Sequence, residues 1–184
     1  MSSNQTSEFG DAPRKHVCII GGGSSGIILM KELQQSGHTF ECFEASTGIG
    51  GVYNTAYDGT VLTTSSLLTA WTDYSDGKEA TPRFWTAAEY LEYVAAFAKK
   101  FDVLRFISFR TRVIEVKKDP ETRKWMVTAQ AGQGNNIGRC EHVDAELEEP
   151  FTRAFDVIAV CTGTNANASM PDFPGQERFQ GTIE

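Results

Sequence analysis

Apolar positions near the start of the chain change from strand spacing to helix spacing and back to strand spacing. The β-branched run His16–Ile20 predicts a short strand that stops at glycines, and apolar residues three or four apart predict a helix over residues 24–36. Residues 40–44 predict the next strand. This order predicts a βαβ unit with parallel strands and a right-handed crossover.

The later part of the chain predicts a capped helix and a hairpin. Thr86, with Glu89 three positions later, forms a capping-box signature before an apolar stripe that we expect to be buried. Segments 112–118 and 124–130 flank a turn sequence and predict an antiparallel hairpin. Residues 130–150 are polar and predict an exposed loop, and residues 155–161 predict a buried strand.

Composition and charge narrow the class of protein. The 184 residues suit about one domain, and 17 basic against 24 acidic residues give a net charge of −7, which argues against nucleic-acid binding. No apolar segment is long enough to span a membrane, so we expect no membrane partner. Residues 1–14 predict a disordered leader without a secretory signal. Four cysteines without CxxC spacing favour the reducing cytoplasm.

A glycine-rich turn between the first strand and the first helix carries the main chemical signal. Residues 21–26 read GGGSSG, which satisfies G-x-G-x-x-G, and Glu44 ends the next strand at the spacing of ~20 residues typical of a dinucleotide site. Gly21 allows the tight turn, Gly23 lets the backbone approach a pyrophosphate, and Gly26 allows close packing of helix on strand. Glu44 suits ribose hydroxyls and disfavours a 2′-phosphate, so this site fits NAD or FAD and does not fit NADP. The alternative is a structural turn with a solvated glutamate.

Several further motifs resemble flavin-containing monooxygenases in order and spacing. The second glycine pair, in Gly50-Gly51-Val52-Tyr53, resembles the flavin-contacting loop of flavoproteins with two dinucleotide-binding domains. The other motifs are TTS at 63–65, WTDY at 71–74, YLEY at 90–93, FAKKFD at 97–102, RTRV at 110–113 and VCTGTN at 160–165. The last residues, FQGTIE at 179–184, resemble the start of the family fingerprint F-x-G-x-x-x-H, whose His would be residue 185.

The resemblance implies a fold and a set of site residues. The fold is α/β, a Rossmann-like FAD-binding domain of the two-dinucleotide-binding flavoprotein type with an added β-hairpin layer, over residues 15–184. Thr63 lies where the family usually has an Asn that steadies the oxygenated flavin, and Val113 would touch the adenine through its backbone. The implied FAD-binding residues are Gly21, Gly23, Ser24, Ser25, Gly26, Glu44, Ala45, Gly51, Val52, Tyr53, Thr64, Val113, Cys161, Thr162 and Gly163.

The resemblance also implies an activity. It is an FAD- and NADPH-dependent monooxygenase, in which O₂ adds at the flavin C4a and one oxygen passes to a nitrogen, sulfur or ketone centre of a small molecule. We expect the NADPH domain on a C-terminal remainder or a complementary chain. One alternative is a non-catalytic FAD-binding half that needs a partner polypeptide. Another, a disulfide reductase, is disfavoured because no CxxxxC is present near the flavin loop.

Histidines and tryptophans carry weaker signals. His16 and His38 flank strands and His142 lies in a polar segment, so we expect no metal site and no catalytic histidine. Trp71 and Trp85 fit either a substrate channel or, more simply, packing.

Overall fold

A four-stranded parallel sheet forms the centre of the fold. The computed structural model describes residues 13–75, 77, 81–133, 146–164 and 171–181. The sheet consists of β1 (His16–Ile20), β2 (Thr39–Phe43), β5 (Ile107–Ser108) and β10 (Val157–Val160), in the order β10-β1-β2-β5. Its parallel pairing brings the carboxyl ends of β1, β2 and β10 to one edge.

Three α-helices lie in the described residues. They are α1 (Ser24–Gln35), α2 (Ser66–Thr69) and α3 (Ala87–Lys100). Short 3₁₀ segments span Gly51–Thr55, Leu104–Phe106 and Gln176–Arg178. The helix α1 connects β1 to β2, and Gly37 follows it at a φ of 74°.

Two antiparallel units are added to the parallel sheet. β3 (Val61–Ser65) pairs with β4 (Phe84–Thr86) in a two-stranded ribbon. β6 (Thr111–Lys118) pairs with β7 (Trp125–Gln133), and β7 also pairs with β8 (Glu146–Leu147) and β9 (Phe151–Phe155). The second unit contains the predicted hairpin of β6 and β7. The strands β8 and β9 are added to this hairpin, and they pair with different parts of β7.

The apolar core has two parts. The larger one joins α1, α3 and one face of the parallel sheet, and the apolar stripe of α3 is buried in it through Tyr90, Val94 and Phe97. The smaller one joins the opposite face of the sheet to the hairpin layer through Phe43, Val127 and Phe155. The two parts together hold the parallel sheet between a helical layer and an antiparallel layer.

Most predicted elements are confirmed. β1 has the predicted bounds, α1 ends one residue before the predicted limit, and β2 is shifted by one residue, to Thr39–Phe43. The capping box is present in full, since Glu89 N–H donates to Thr86 Oγ1 and Thr86 N–H donates to Glu89 Oε2. The parallel pairing of the βαβ unit and the antiparallel hairpin are also confirmed.

Two predicted segments are wrong in part. Residues 155–161 form the end of β9 and a separate strand β10, because the chain passes from one sheet to the other at Asp156. β10 is not fully buried: as the outer strand of the sheet it leaves Val157 and Val160 42% and 71% exposed. Within the predicted loop 130–150, β7 continues to Gln133 and pairs with Glu146–Leu147.

Some predictions fall on residues outside the described ranges. These are most of the predicted leader, residues 134–145 with Cys140 and His142, and residues 182–184. In the part of the chain that the structure does describe, no helix has both the length and the apolar character needed to cross a bilayer.

Candidate dinucleotide-binding site

The glycine turn lies at the edge where three parallel strands end. Gly21 has a φ of 108°, a left-handed conformation that glycine adopts without strain, and its N–H donates to the carbonyl of Phe43 over 2.9 Å. A Cβ at Gly21 would lie 2.5 Å from the carbonyl oxygen of Cys161, and a Cβ at Gly26 would overlap the carbonyl oxygen of Gly21. Both positions therefore require glycine for close backbone packing.

The start of α1 presents, beside this turn, backbone donors that have no acceptor within the helix. Gly23 is the N-cap and has no side chain to cap the helix, and the first intrahelical bond runs from Ile27 N–H to Gly23 O over 3.0 Å. The N–H groups of Ser24, Ser25 and Gly26 precede that bond and have no acceptor in the helix. Such a helix start, with its positive dipole end, suits a phosphate.

Glu44 joins the end of β2 to the glycine turn. Its side chain is buried, and its two oxygens accept the N–H of Gly22 over 2.6 Å and the N–H of Ser46 over 2.7 Å. A carboxylate oxygen accepts more than one hydrogen bond, so each oxygen keeps capacity for a hydroxyl donor. The carboxylate thus serves as a structural link and remains chemically suited to a ribose.

The second glycine pair packs directly on the first turn. Gly50 N–H donates to Gly22 O over 3.1 Å, and Gly50 and Gly51 have φ values of 107° and 58°. A Cβ at Gly23 would meet only Gly51, at 3.7 Å from its Cα. The two glycine loops thus pack on each other at van der Waals distance. Together with the start of α1 and the Glu44 carboxylate they form what we call the cradle.

Helix α3 contacts both glycine loops. The Tyr90 hydroxyl donates to Ser24 Oγ over 3.0 Å, and the Tyr53 ring packs edge-on against Tyr90 at a centroid distance of 4.6 Å. Burial raises the pKa of Tyr90, outweighing the lowering effect of the hydrogen bond to Ser24, so its hydroxyl stays a proton donor. A Cβ at Gly50 would overlap the side chain of Leu91, the next residue of α3.

The segment after β10 borders the turn from the other side. Cys161 N–H donates to Ile20 O over 2.8 Å, and burial raises the pKa of the half-buried Cys161 thiol. Thr162 and Gly163 are exposed, and Gly163 has a φ of 77°. The structure therefore brings Cys161 against Gly21 and leaves Thr162 and Gly163 accessible beyond it.

Val113 lies on the strand that starts beside Glu44. Thr111 N–H donates to Glu44 O over 2.9 Å, whereas Gly132 N–H donates to Arg110 O over 3.0 Å. Because backbone groups alternate in direction along a strand, the N–H of Val113 points the same way as that of Thr111, away from β7. The register from Thr111 to Val113 is regular and shifts only after Val113.

The remaining predicted residues lie outside the glycine turn. Thr63 and Thr64 are exposed on β3, in the separate ribbon, where Thr64 Oγ1 and Thr69 Oγ1 share a hydrogen bond of 2.7 Å. Ala45 and Val52 are exposed beside Glu44 and Gly51. Within the described residues, no hydrogen bond joins Thr63 or Thr64 to the turn.

The thiols and tryptophans take structural places. Burial raises the pKa of the Cys18 thiol to about 12 and also raises that of Cys42, so both thiols stay protonated. Trp85 is buried in the core beside Tyr93, and Trp71 packs on Tyr93 and Phe97, which supports packing rather than a channel. No cluster of His, Cys, Asp and Glu among the described residues could hold a metal ion.

Sequence reasoning missed three contributors to the site. Gly22 occupies a variable position of the fingerprint, Ser46 follows the strand, and Tyr90 belongs to a stripe expected only to be core. Of these three residues, Gly22 alone carries a signal in the sequence, because a glycine leaves room for a neighbouring group. In the structure that group is Glu44, which a Cβ at Gly22 would approach to 3.3 Å.

The chain belongs to the flavin-binding monooxygenase-like family, whose family model matches residues 14–184. It is 33% identical over 172 residues to 4-hydroxybenzoate brominase (decarboxylating) of Pseudoalteromonas luteoviolacea, covering 92% of this chain and 30% of that protein. It is 32% identical over 180 residues to human flavin-containing monooxygenase 5, covering 91% of this chain and 31% of that protein. The chain thus spans about 30% of the length of these relatives.

Solved structures show the same fold. S-allyl-L-cysteine S-oxygenase from Allium sativum matches 92% of this chain and 41% of its own chain, with a TM-score of 0.75 and 22% identity. A steroid monooxygenase bound to NADP matches 92% of this chain and 30% of its own, with a TM-score of 0.66 and 25% identity. The fold is therefore the Rossmann-like α/β fold of flavin monooxygenases, with additional antiparallel strands.

Proposed function

We propose that this chain forms the FAD-binding part of a flavin-dependent monooxygenase. The observation that carries the proposal is the cradle, in which the start of α1 and the carboxylate of Glu44 lie at the packed glycine loops. A dinucleotide needs a phosphate site and a ribose acceptor close together at the carboxyl ends of parallel strands. Membership of the flavin-binding monooxygenase-like family favours FAD over NAD as the dinucleotide.

Each part of the cradle suits one part of the cofactor. The N–H groups of Ser24, Ser25 and Gly26 would hold the pyrophosphate, and the Glu44 carboxylate would accept ribose hydroxyls. The backbone of Val113, directed to the side on which Glu44 lies, would meet the adenine. Gly51, Val52 and Tyr53 would border the flavin half, with Cys161, Thr162 and Gly163 on the opposite rim.

The reaction proposed for the whole protein is oxygenation of a small molecule at a nitrogen, sulfur or ketone centre. Bound FAD supplies the redox chemistry with O₂, and the protein binds it, orients it and shields it from water. The Thr63 hydroxyl would offer one hydrogen bond where the family usually has an amide. One structural relative is named an S-oxygenase and another a steroid monooxygenase, which supports oxygen transfer as the class of reaction.

The reductant NADPH would bind outside the described cradle. The negative charge of Glu44 disfavours the 2′-phosphate of NADPH, and the relatives are much longer than this chain. We propose that the additional polypeptide of the kind they contain carries the NADPH site and covers Val157 and Val160 on β10. The protonated, buried thiols of Cys18 and Cys42 fit a reducing compartment such as the cytoplasm.

The test of the cofactor is a binding panel on the purified chain. FAD, FMN, NAD⁺ and NADP⁺ are titrated separately, with affinity measured by calorimetry. We expect FAD to bind tightest, FMN more weakly because it lacks the adenosine half, and NADP⁺ weakest. Binding of NAD⁺ in preference to FAD, or binding of none of the four, would overturn the proposal.

The test of the reaction is NADPH consumption. The chain carrying FAD is mixed with NADPH, O₂ and a panel of amines, sulfides and ketones, with and without the additional polypeptide of a longer relative. We expect oxygenated product only when that polypeptide is present. Turnover by the chain alone would contradict the placement of the NADPH site.

A further inference from the structure

We infer that Tyr90 is a positioning residue for the phosphate end of the dinucleotide, and that it acts by orienting the hydroxyl of Ser24. The inference rests on the proposed function, since it assigns a role within the same cradle. The observation is the hydrogen bond of 3.0 Å from the Tyr90 hydroxyl to Ser24 Oγ, between residues 66 positions apart.

The direction of this hydrogen bond decides what Ser24 can do. A tyrosine hydroxyl has one proton, and here that proton is donated to Ser24 Oγ. Because Ser24 Oγ accepts the proton of the Tyr90 hydroxyl, Ser24 can donate its own hydroxyl proton to another group. Ser24 is the first residue of α1, directly after Gly23, so the group that the proton would meet is an anion bound at the helix start.

The Tyr90 ring is held firmly enough to serve this purpose. It is 5% exposed, it packs against Tyr53 with centroids 4.6 Å apart, and it lies beside Trp85 at 6.3 Å. Tyr53 lies in the 3₁₀ segment that begins at Gly51. Tyr90 therefore joins the helix start to the loop of the second glycine pair.

Core packing alone does not account for a hydroxyl at this position. A phenylalanine would fill the same space among the same aromatic rings, with no polar atom to satisfy. Among the residues that the structure describes, the tyrosine oxygen adds the single bond to Ser24. A hydrogen bond that stiffens a polar side chain is a recognised way to hold a binding group in place.

The test is a double-mutant cycle on FAD affinity, using the chains Y90F, S24A and Y90F/S24A. We expect Y90F to weaken FAD binding by roughly 3- to 10-fold, the effect of one lost hydrogen bond. In the S24A background the same substitution should change the affinity less than twofold. Equal losses in both backgrounds, or no loss in Y90F, would overturn the inference while leaving FAD binding by the wild-type chain intact.

Y93F provides the matched control. Tyr93 lies one turn further along α3 and is also buried, but its hydroxyl accepts the N–H of Trp71 over 2.8 Å and donates to Tyr74 O over 3.0 Å. We expect Y93F to lower thermal stability and to leave FAD affinity within twofold of wild type. A loss of affinity as large as that of Y90F would show that any buried hydroxyl of α3 matters equally, and would contradict a specific role for Tyr90.

A second substitution covers the case in which Y90F does not fold. 3,5-Difluorotyrosine at position 90 keeps the ring and the hydroxyl and makes the phenol a stronger donor, at a pH where it is still protonated. We expect tighter FAD binding than wild type in the Ser24 background and no gain with S24A. A gain in both backgrounds would overturn the inference, and failure of the wild-type chain to bind FAD would overturn the proposed function itself.

Discussion

The Glu44 carboxylate and the Gly22 backbone N–H are joined by a hydrogen bond of 2.6 Å that ties the end of β2 to the glycine turn after β1. The second carboxylate oxygen accepts the N–H of Ser46, so the side chain is held at both of its oxygens. The Glu44 side chain is thus held in place at the glycine turn before any ligand arrives. This preorganisation is what a ribose acceptor requires.

Replacement of Glu44 by Ala should weaken FAD binding by about 1–3 kcal/mol, because donors of the ribose and the backbone lose their acceptor. The measurement is calorimetric titration with FAD. Glu41→Ala is the control, since Glu41 lies on β2, which Glu44 directly follows, but pairs with His16 and Arg153. Unchanged FAD affinity in the Glu44 variant would mean that the carboxylate is only a structural link.

Replacement of Val113 by Pro should weaken FAD binding, whereas replacement by Ala should leave it nearly unchanged. Proline removes the backbone N–H, and at this position that N–H points away from the ladder with β7, so the hairpin should survive. The two variants are compared by FAD titration and by circular dichroism. Equal affinities of the folded Pro and Ala variants would contradict contact between this backbone and the adenine.

Replacement of Glu89 by Gln should make the stability of the chain fall less as the pH is lowered into the acid range. Hydrogen bonding to the Thr86 N–H, and then to Arg83, holds the pKa of Glu89 below its usual value. A lowered folded-state pKa adds stability above the unfolded value of about 4.3, and that stability is lost as the pH falls through the folded pKa. Urea unfolding from neutral to acid pH should show the stabilities of the two chains converging. A constant difference between them across this range would contradict the role of Glu89.

Lys31 and Asp73 form an ion pair, and replacing one or the other should lower the stability of the chain by different amounts. The Lys31 side chain is 7% exposed and that of Asp73 is 44% exposed. Among the described residues, Asp73→Asn leaves the buried ammonium with Glu32 as its remaining charged partner, and it should destabilise the chain by about 1–3 kcal/mol. Lys31→Met leaves an aspartate that water can solvate, and should cost less than about 1 kcal/mol.

The ion pair between Lys31 and Asp73 should make the stability of the chain depend on pH in both the acid and the alkaline range. The hydrogen bond to Lys31 lowers the pKa of Asp73, so its contribution is lost as the pH falls. The hydrogen bond to Asp73 raises the pKa of Lys31, so the contribution of Lys31 is complete below its unfolded value and is lost as the pH rises through the folded pKa. Larger destabilisation by Lys31→Met than by Asp73→Asn would contradict this account.

Local sequence signals were enough to predict the βαβ unit and the capped helix. The run His16–Ile20 is short and β-branched and ends at glycines, and Thr86 with Glu89 closes a hydrogen-bonded box within four residues. These features depend on residues that are close together in the sequence, so a local pattern is enough to predict them. The same is true of the glycine turn, where spacing alone placed Gly21, Gly26 and Glu44 at one sheet edge.

Features that depend on distant contacts were not predictable in this way. Residues 155–161 read as one apolar run, but Asp156 Oδ2 accepts the His16 N–H over 2.8 Å and the chain changes sheets there. The exposure of Val160 follows from the outer place of β10 in the sheet, which no local pattern encodes. The contact of Tyr90 with Ser24 joins two helices across 66 positions, and the helical stripe predicted only its burial.

The most direct test of the cradle is FAD titration of the chain with Gly23→Ala. A Cβ at Gly23 would stand 3.7 Å from the nearest atom, Gly51 Cα, so the chain should fold normally while a methyl group enters the space assigned to the pyrophosphate. Gly48→Ala is the matched control, because its Cβ would lie 3.8 Å from Asn54 Nδ2 within the same connection. We predict that Gly23→Ala loses FAD affinity by roughly tenfold or more, about 1.4 kcal/mol, with a loss of stability no larger than the ~1 kcal/mol that alanine costs at an N-cap, and that Gly48→Ala keeps the wild-type affinity. Wild-type affinity in a folded Gly23→Ala chain would contradict the account.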